Sequence, residues 1–567
     1  MWRMPCFISC LLLFLGCAIH SETAAQQTAA KPQTKSRPNI LIAISDDQSY
    51  PHASAYGDPV IQTPGFDRVA KAGVLFHNAF TPAPGCSPMR AAFLTGREIW
   101  QNGAAGTHAS TFPRDLPVFT SQLADSGYHV GMTGKGWSPG RAAGWPHNPA
   151  GKSYDQHKMK SPPGIASTDY ASNFSEFLTA RQDDQPFCFW FGAREPHRVF
   201  GSGLGKQSGM DLSKIVVPTF LPDSETIRSD LADYLFEIQW FDQHLQRMLD
   251  QLEAAGELEN TLVIVTSDNG MSFPRAKANL YEYGIHMPLA IAWPKQITGG
   301  QDSQDLVSLI DVTRTIFAAA GVTPKQADKM PGLDLLPSLR KDSQPVADYQ
   351  RQAVFSGRER HSSSRFNSLS YPCRCIRTDS HLYIINFTPE RYPAGTPQKY
   401  AAATYDKDGN VVTSKLGPPH GGYHDIDACP TLDWMIKYQS DSDRNQNLFN
   451  ASVALRPAEE LYDIQNDPAC LNNLIDQPGN SKLRDSLRKQ LLTYLTQTGD
   501  LRVTDPQAAH VWETYQRISG LRWFPKPDWA INDPSKAPNQ PWLEARRPHA
   551  KTNESKTSKP SQSPAGQ

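Results

Sequence analysis

The sequence predicts an α/β protein, a doubly wound sheet followed by a smaller α+β domain, and three features carry that prediction. Short unbroken apolar runs recur at strand length, an amphipathic helical stretch lies between two of them, and the pattern changes character after Leu339. The chain has 567 residues. That exceeds the roughly 250–300 residues beyond which a single core usually splits, so two domains are expected.

The runs are residues 40–44, 187–191, 262–265 and 289–293. Apolarity that does not alternate marks strands covered on both faces, as in parallel sheets. Between the second and third runs, Leu231, Tyr234, Leu235, Ile238, Phe241, Leu245, Met248, Leu249 and Leu252 recur at helical spacing, and Gly256 stops them. Strand alternating with helix gives the doubly wound sheet, expected over residues 37–339. Beyond it, 353–355 and 382–385 are short strand candidates and 482–495 is a helix candidate, so a smaller α+β domain is expected over 340–524. Pro, Ser, Lys and Gln dominate the end of the chain, and 525–567 is expected to be a disordered tail.

At the other end Arg3 precedes an apolar run over 6–19, followed by Thr23-Ala24-Ala25. The run is shorter than the ~20 residues a spanning helix needs, so 1–25 reads as a signal peptide and 26–36 as a linker. Export to a periplasmic or extracellular space is expected. Leu15-Gly16-Cys17 leaves a lipid anchor on Cys17 open, as it does an uncleaved leader.

The 56 basic and 57 acidic side chains cancel. No nucleic-acid partner or polybasic membrane contact is expected, and any anionic substrate must be recognised locally. Nine cysteines, three of them in the leader, are too few for a disulfide scaffold. If Cys86 is consumed by modification, five remain, and one at least is unpaired within a monomer. Cys188, inside Phe187-Cys188-Phe189-Trp190-Phe191, reads as a buried structural thiol.

Two of the runs end in acidic residues, Ser45-Asp46-Asp47 and Thr266-Ser267-Asp268-Asn269-Gly270. Ligands of open α/β sheets lie outside the carboxyl ends of the strands, so Asp46, Asp47, Asp268 and Asn269 should face one crevice. Three carboxylates and an amide carbonyl suit a hard cation, calcium before magnesium and either before zinc. Ordinary strand-end turns are the plainer reading of each dipeptide alone. Two such ends flanking one sheet favour the metal.

Cys86 follows the turn Pro84-Gly85, with Ser87 suited to cap a helix and Pro88 to its first position. That puts the cysteine at the positive end of a helix, beside Arg90, where an anion is stabilised. The turn argues against deep burial. A structural cysteine and a thiolate nucleophile activated by Arg90 both remain open at this point.

The stretch Cys86-Ser87-Pro88-Met89-Arg90 continues to Leu94-Thr95-Gly96, and it resembles the signature of the type I sulfatases, Cys-x-Pro-x-Arg-x-x-x-Leu-Thr-Gly. Met89 stands where the family usually has Ser. The resemblance runs from about Arg37 to Gln497. It implies an alkaline-phosphatase-like doubly wound mixed sheet. It also implies that a formylglycine-generating enzyme oxidises Cys86, and that one Ca²⁺ is held by Asp46, Asp47, Asp268, Asn269 and the modified Cys86. By the same resemblance Arg90 steadies the nucleophile, and Lys135, in Gly131-Met132-Thr133-Gly134-Lys135, holds nucleophile and sulfate. His197, in Glu195-Pro196-His197-Arg198, contacts sulfate and can act as general acid; Lys277 stands against sulfate and leaving group.

The chain departs from the family at Lys135-Gly136-Trp137, where Lys-x-His is usual. His108 is a candidate replacement for the missing histidine, and Trp137 is a candidate for stacking on a sugar ring, against plain core packing. Shorter segments resemble the N-sulfoglucosamine sulfohydrolase branch: Gln101-Asn102-Gly103, Pro196-His197-Arg198, Phe273-Pro274, Asn279-Leu280-Tyr281 and Ser370-Tyr371-Pro372-Cys373-Arg374. They imply a sulfated carbohydrate partner with an amino sugar at the chain end, and Arg374 as a substrate contact, although that branch often has arginine at Lys277. Two other readings stand beside this one, a phosphate or phosphonate ester hydrolase and a glycan-binding protein that has lost turnover.

Overall fold

The run at 40–44 forms the centre of a nine-stranded mixed sheet. In chain order its strands are β1 (Asn39–Ser45), β2 (Val74–Phe80), β3 (His129–Gly134), β4 (Lys152–Ser153), β5 (Phe187–Gly192), β6 (Thr261–Ser267), β7 (His286–Ala292), β8 (Gln301–Ser303) and β9 (Val307–Ser308). The spatial order is β4-β3-β5-β1-β6-β7-β2-β8, with β9 beside β2. This computed structural model describes residues 37–340 and 351–546, apart from 183, 406–410, 519 and 539. The expected leader and linker, Cys17 and the stretch 547–567 lie outside the described residues.

Alternation along β1 explains its unbroken apolarity. Ile40, Ile42 and Ile44 join one core with Phe93, Val312 and Ile316, while Leu41 and Ala43 join a second with Phe66, Phe174, Phe241 and Met248. Helices therefore cover both faces. The predicted helix spans Glu225–Ala254, capped by the Ser224 hydroxyl, and Gly256 takes a left-handed φ of 67° just past its end. The fourth apolar run departs from expectation. It falls on β7, which runs antiparallel to both β6 and β2. The chain turns back through 268–281 and the single turn Glu282–Ile285, with no crossover helix of the kind a parallel return uses.

The later part of the chain adds β10 (Val354–Arg358), β11 (Cys373–Arg377), β12 (His381–Asn386), a hairpin of β13 (Tyr400–Tyr405) and β14 (Val411–Leu416), and β15 (Glu459–Asp463). β10, β11, β12 and β15 form an antiparallel sheet in that order. One face of it, with Ile376, Tyr383 and Leu461, enters the same core as Phe93, together with Leu487, Leu491 and Leu495 of the helix Ser481–Gln497. Inside the segment expected to be a tail, Asp528–Asn532 and Pro541–Glu544 are helical, with Ala530 and Leu543 buried. Trp529 and Trp542 anchor it beneath the guanidinium groups of Arg391 and Arg360. Isolated aromatics of this kind are invisible to a reading by bulk composition. The six described cysteines are all unpaired and buried, and no helix among the described residues is long and apolar enough to cross a membrane.

Candidate active site

Four parallel strands end level. Ser45 pairs with Ser267, Ile44 with Gly192, and Gly134 with Gly192, so the residues that follow β1, β6, β5 and β3 leave one edge of the sheet together. This register brings Asp46 and Asp47, Asp268 and Asn269, His197 and Lys135 into one place. Gly134 makes the β3 exit possible: its φ is +74°, and a Cβ there would lie 2.2 Å from the Gly192 carbonyl oxygen.

The helix Cys86–Thr95 starts over this edge. Its N-cap is Gly85 and Cys86 is its first residue, two residues earlier than Ser87 and Pro88 suggest. Gly96, at φ 67°, closes it. Cys86 is fully buried, contrary to the expectation from its turn. The loop from 81 to 85 and the loop of Lys277 cover it, tied by the Ala278 amide donating to the Pro84 carbonyl at 2.8 Å. Burial pushes the thiol well above its ordinary pKa, with Asp46 and Asp268 adding to the effect against Lys135 and Lys277. The reading as an activated thiolate fails for that reason.

Cys86 Sγ lies 3.5 Å from Asp46 Oδ1 and 3.8 Å from Asp47 Oδ1. Behind these oxygens, Lys135 Nζ is 2.5 Å from Asp46 Oδ2, and Lys277 Nζ is 2.6 Å from Asp47 Oδ2. Arg90 donates through Nε to Asp268 Oδ2 at 2.8 Å and through Nη1 to the Lys135 carbonyl at 2.5 Å. Burial raises the Asp46 pKa, but Lys135, His197, Arg90 and Lys277 outweigh it and hold the carboxyl well below its usual range. His197 Nδ1 donates to the Arg198 carbonyl at 2.7 Å, which turns Nε2 toward Asp47 Oδ2, 3.9 Å away.

Two buried atoms here have no hydrogen-bond partner among the described residues, Arg90 Nη2, which lies 3.9 Å from Asp46 Oδ1, and Asn269 Oδ1. The first is a donor that fits an anionic oxygen. The second is an acceptor, close to three carboxylates whose oxygens converge within 4.8 Å, and it fits a hard cation. The donor set Asp46, Asp47, Asp268 and Asn269 therefore suits calcium.

A family model described as Sulfatase matches residues 38–322, about half of the chain. The chain belongs to the sulfatase family. A second model, described as N-sulphoglucosamine sulphohydrolase, C-terminal, matches residues 275–388. The N-sulphoglucosamine sulphohydrolase of Homo sapiens is 29% identical over 510 residues, covering 83% of this chain and 93% of the human protein. An ulvan-active sulfatase of Formosa agariphila is 26% identical over 501 residues, covering 86% and 87%. A solved structure described as a complex with its substrate D-glucosamine-2-N,6-O-disulfate superposes with a TM-score of 0.58 at 20% identity, over 83% of this chain and 99% of that one. A phosphonate monoester hydrolase from Silicibacter pomeroyi superposes with a TM-score of 0.56 at 15% identity, over 82% and 97%. The fold alone is thus shared by two ester chemistries, and membership in the sulfatase family decides between them.

In this sulfatase the site opens into a cavity of about 710 Å³, lined in part by Asp46, Lys135, His197, Lys277, His108 and Asp427. Three residues singled out for substrate contact behave otherwise. Trp137 is buried, donates Nε1 to the Ser87 carbonyl at 2.9 Å and packs edge-on against Phe112. It braces the first turn of the Cys86 helix, and the core-packing reading holds. His108 does line the cavity, but Arg517 Nη1 donates to its Nδ1 at 3.1 Å. Burial, with His361 and Arg517 beside it, pushes its pKa well below the ordinary value. The ring is a neutral Nε2–H donor, not the base that a replacement histidine must supply.

Arg374 is fully buried. It meets Asp500 at 2.6 Å and Glu359 at 2.7 Å and lies 4.9 Å over the Trp100 ring, away from the cavity lining. Its role is structural, since removing it leaves the buried Asp500 without its cation and Glu359 with Arg502 alone. Arg374→Met is expected to destabilise the fold by about 3–5 kcal/mol in urea unfolding, while kcat/KM of the folded fraction changes less than about threefold. Among the lining residues that were not anticipated, His361 and Asp427 come from loops of the later part of the chain, where no strand end or motif marks them.

Proposed function

We propose that this sulfatase removes sulfate from a sulfated glycan at the nitrogen of a glucosamine, through a formylglycine made from Cys86. The observation that carries the reading is the position of Cys86 Sγ, buried between Asp46 Oδ1 and Asp47 Oδ1 with Lys135 and Lys277 on either side. A hydrated aldehyde at residue 86 places one hydroxyl among the carboxylates and the other toward the cavity. Calcium, when bound by Asp46, Asp47, Asp268 and Asn269, supplies positive charge that favours the attacking oxygen and the sulfate.

One hydroxyl attacks sulfur while Lys135 and Lys277 neutralise the sulfate oxygens, and the unpartnered Arg90 Nη2 serves the nucleophile. His197, its Nδ1 held by the Arg198 carbonyl, gives a proton from Nε2 to the leaving nitrogen. Loss of the second hydroxyl's proton then reforms the aldehyde and expels sulfate, so no second attack at sulfur is needed. The match of residues 275–388 to the C-terminal region of N-sulphoglucosamine sulphohydrolases supports the amino sugar. The same reading has the chain exported after removal of residues 1–25.

Peptide mass analysis of protein from a host with a formylglycine-generating enzyme is expected to show conversion at Cys86, with sulfate released from glucosamine N-sulfate. Protein that releases sulfate while Cys86 stays a thiol would overturn the mechanism. Release only from O-sulfates would overturn the substrate.

A further inference from the structure

We infer that Asp427 makes this site favour a sulfated nitrogen over a sulfated oxygen, its carboxylate accepting the hydrogen that only the nitrogen carries. The inference rests on the N-sulfate reading above and deepens it.

Asp427 stands between the helix-capping Cys429 and the hairpin β13–β14, on a loop of the later part of the chain. Its Oδ2 is 3.0 Å from Lys277 Nζ, which also holds Asp47. Its carboxylate, Asp47 and His197 present oxygens and nitrogen within 4.8 Å of one another. Asp427 therefore contacts Lys277 and lies within 4.8 Å of His197, the two groups assigned to the leaving atom, and it is a third exposed into the cavity.

A second observation marks this wall as built for a polar ligand. His361 is only 7% exposed, lines the same cavity and stacks on the ring of His108. Burial lowers its pKa to about 3, so the neutral ring offers one donor and one acceptor. A sugar hydroxyl or the leaving amine satisfies it.

The two reactions differ at the leaving atom. A sulfamate obeys R–NH–SO3⁻ + H2O → R–NH3⁺ + SO4²⁻. An ester obeys R–O–SO3⁻ + H2O → R–OH + SO4²⁻ + H⁺. As S–N breaks, its electron pair stays on nitrogen and His197 supplies one proton, giving the amine R–NH2; a second proton, drawn from water, makes the ammonium of the overall equation. A carboxylate accepts a hydrogen bond from the N–H of the substrate and a charge-assisted one from the ammonium. An ester oxygen has no hydrogen to give and gains negative charge, which the same carboxylate opposes. Sites built around a substrate N–H discriminate strongly against analogues that lack it.

A carboxylate that only positions Lys277 would help both substrates alike, and this separates the two roles. In Asp427→Asn the ratio of kcat/KM for glucosamine N-sulfate to that for an aryl sulfate is expected to fall at least tenfold. Equal losses on both substrates reduce Asp427 to a positioning residue and overturn the inference alone. A wild-type enzyme with no activity on N-sulfates overturns the N-sulfate reading and the inference together. Titration calorimetry of the wild-type protein needs no variant to fold: glucosamine should bind at least tenfold more tightly than N-acetylglucosamine, and equal binding overturns the inference.

Discussion

Cys86→Ser is expected to lose at least about 10⁴-fold in turnover while keeping its fold. The side chain is fully buried and a serine differs from it by one atom, so the packing around the helix Cys86–Thr95 is preserved and the melting temperature should move little. What changes is the exit from the intermediate. A serine oxygen, flanked by Asp46 and Asp47 and by the same two lysines, can attack sulfur once. The product is a sulfate ester with no neighbouring hydroxyl to expel it, and its hydrolysis needs a second attack at sulfur. The expected record is therefore a single turnover, with sulfate retained on residue 86 in the peptide mass spectrum. Cys86→Ala should show neither turnover nor adduct. Multiple turnovers by the serine variant would remove the formylglycine from the mechanism.

Asp46, Asp47, Asp268, Asn269 and His197 could be placed from the sequence because they follow strands that announce themselves, whereas Cys86, Arg90, Lys135 and Lys277 were named through the motifs they stand in. β1, β5 and β6 are buried on both faces and so read as unbroken apolar runs, and whatever comes next in the chain stands at the carboxyl edge. β2 and β3 were not legible. His77 and Asn78 interrupt β2, where its pairing with β7 also breaks between Phe76 and Ala79, and Gly131 and Gly134 dilute β3, which pairs with β5 along its whole length.

Asp427 and His361 were hidden for a different reason. His361 follows the antiparallel sheet, whose face shares a core with the helix that carries Cys86, while the loop of Asp427 is anchored by Tyr423, Ile426 and Cys429 packing with the helix Glu225–Ala254. No local pattern encodes such a juxtaposition. Arg374 shows the converse error: a motif carries residue identity from relative to relative but is silent on burial, and here the guanidinium is spent on Asp500 and Glu359.

Removal of calcium is expected to abolish activity without unfolding the protein, and the charges of the site say why. Its three buried carboxylates are met one for one by cations: Lys135 on Asp46, Lys277 on Asp47 and Arg90 on Asp268. With the divalent ion stripped, these pairs keep the site neutral, so the core around it has no uncompensated charge to expel. Activity fails because the two lysines are then committed to aspartates. Asp46, Asp47, Asp268 and Asn269 would hold a calcium ion, whose positive charge would compete for the carboxylates and leave the ammonium groups of Lys135 and Lys277 available to the singly charged sulfate group of the substrate.

Exhaustive dialysis against a calcium chelator should thus lower kcat/KM by on the order of 10²–10³ or more, with circular dichroism unchanged and activity restored by added calcium. Calcium at 100 times its dissociation constant should add about 2.7 kcal/mol of stability, seen as a melting temperature that climbs with its concentration. Asn269→Ala, which deletes the buried unpartnered acceptor, should shift that titration to higher calcium. Full activity in protein shown by elemental analysis to be metal-free would break the assignment of these four residues to a cation.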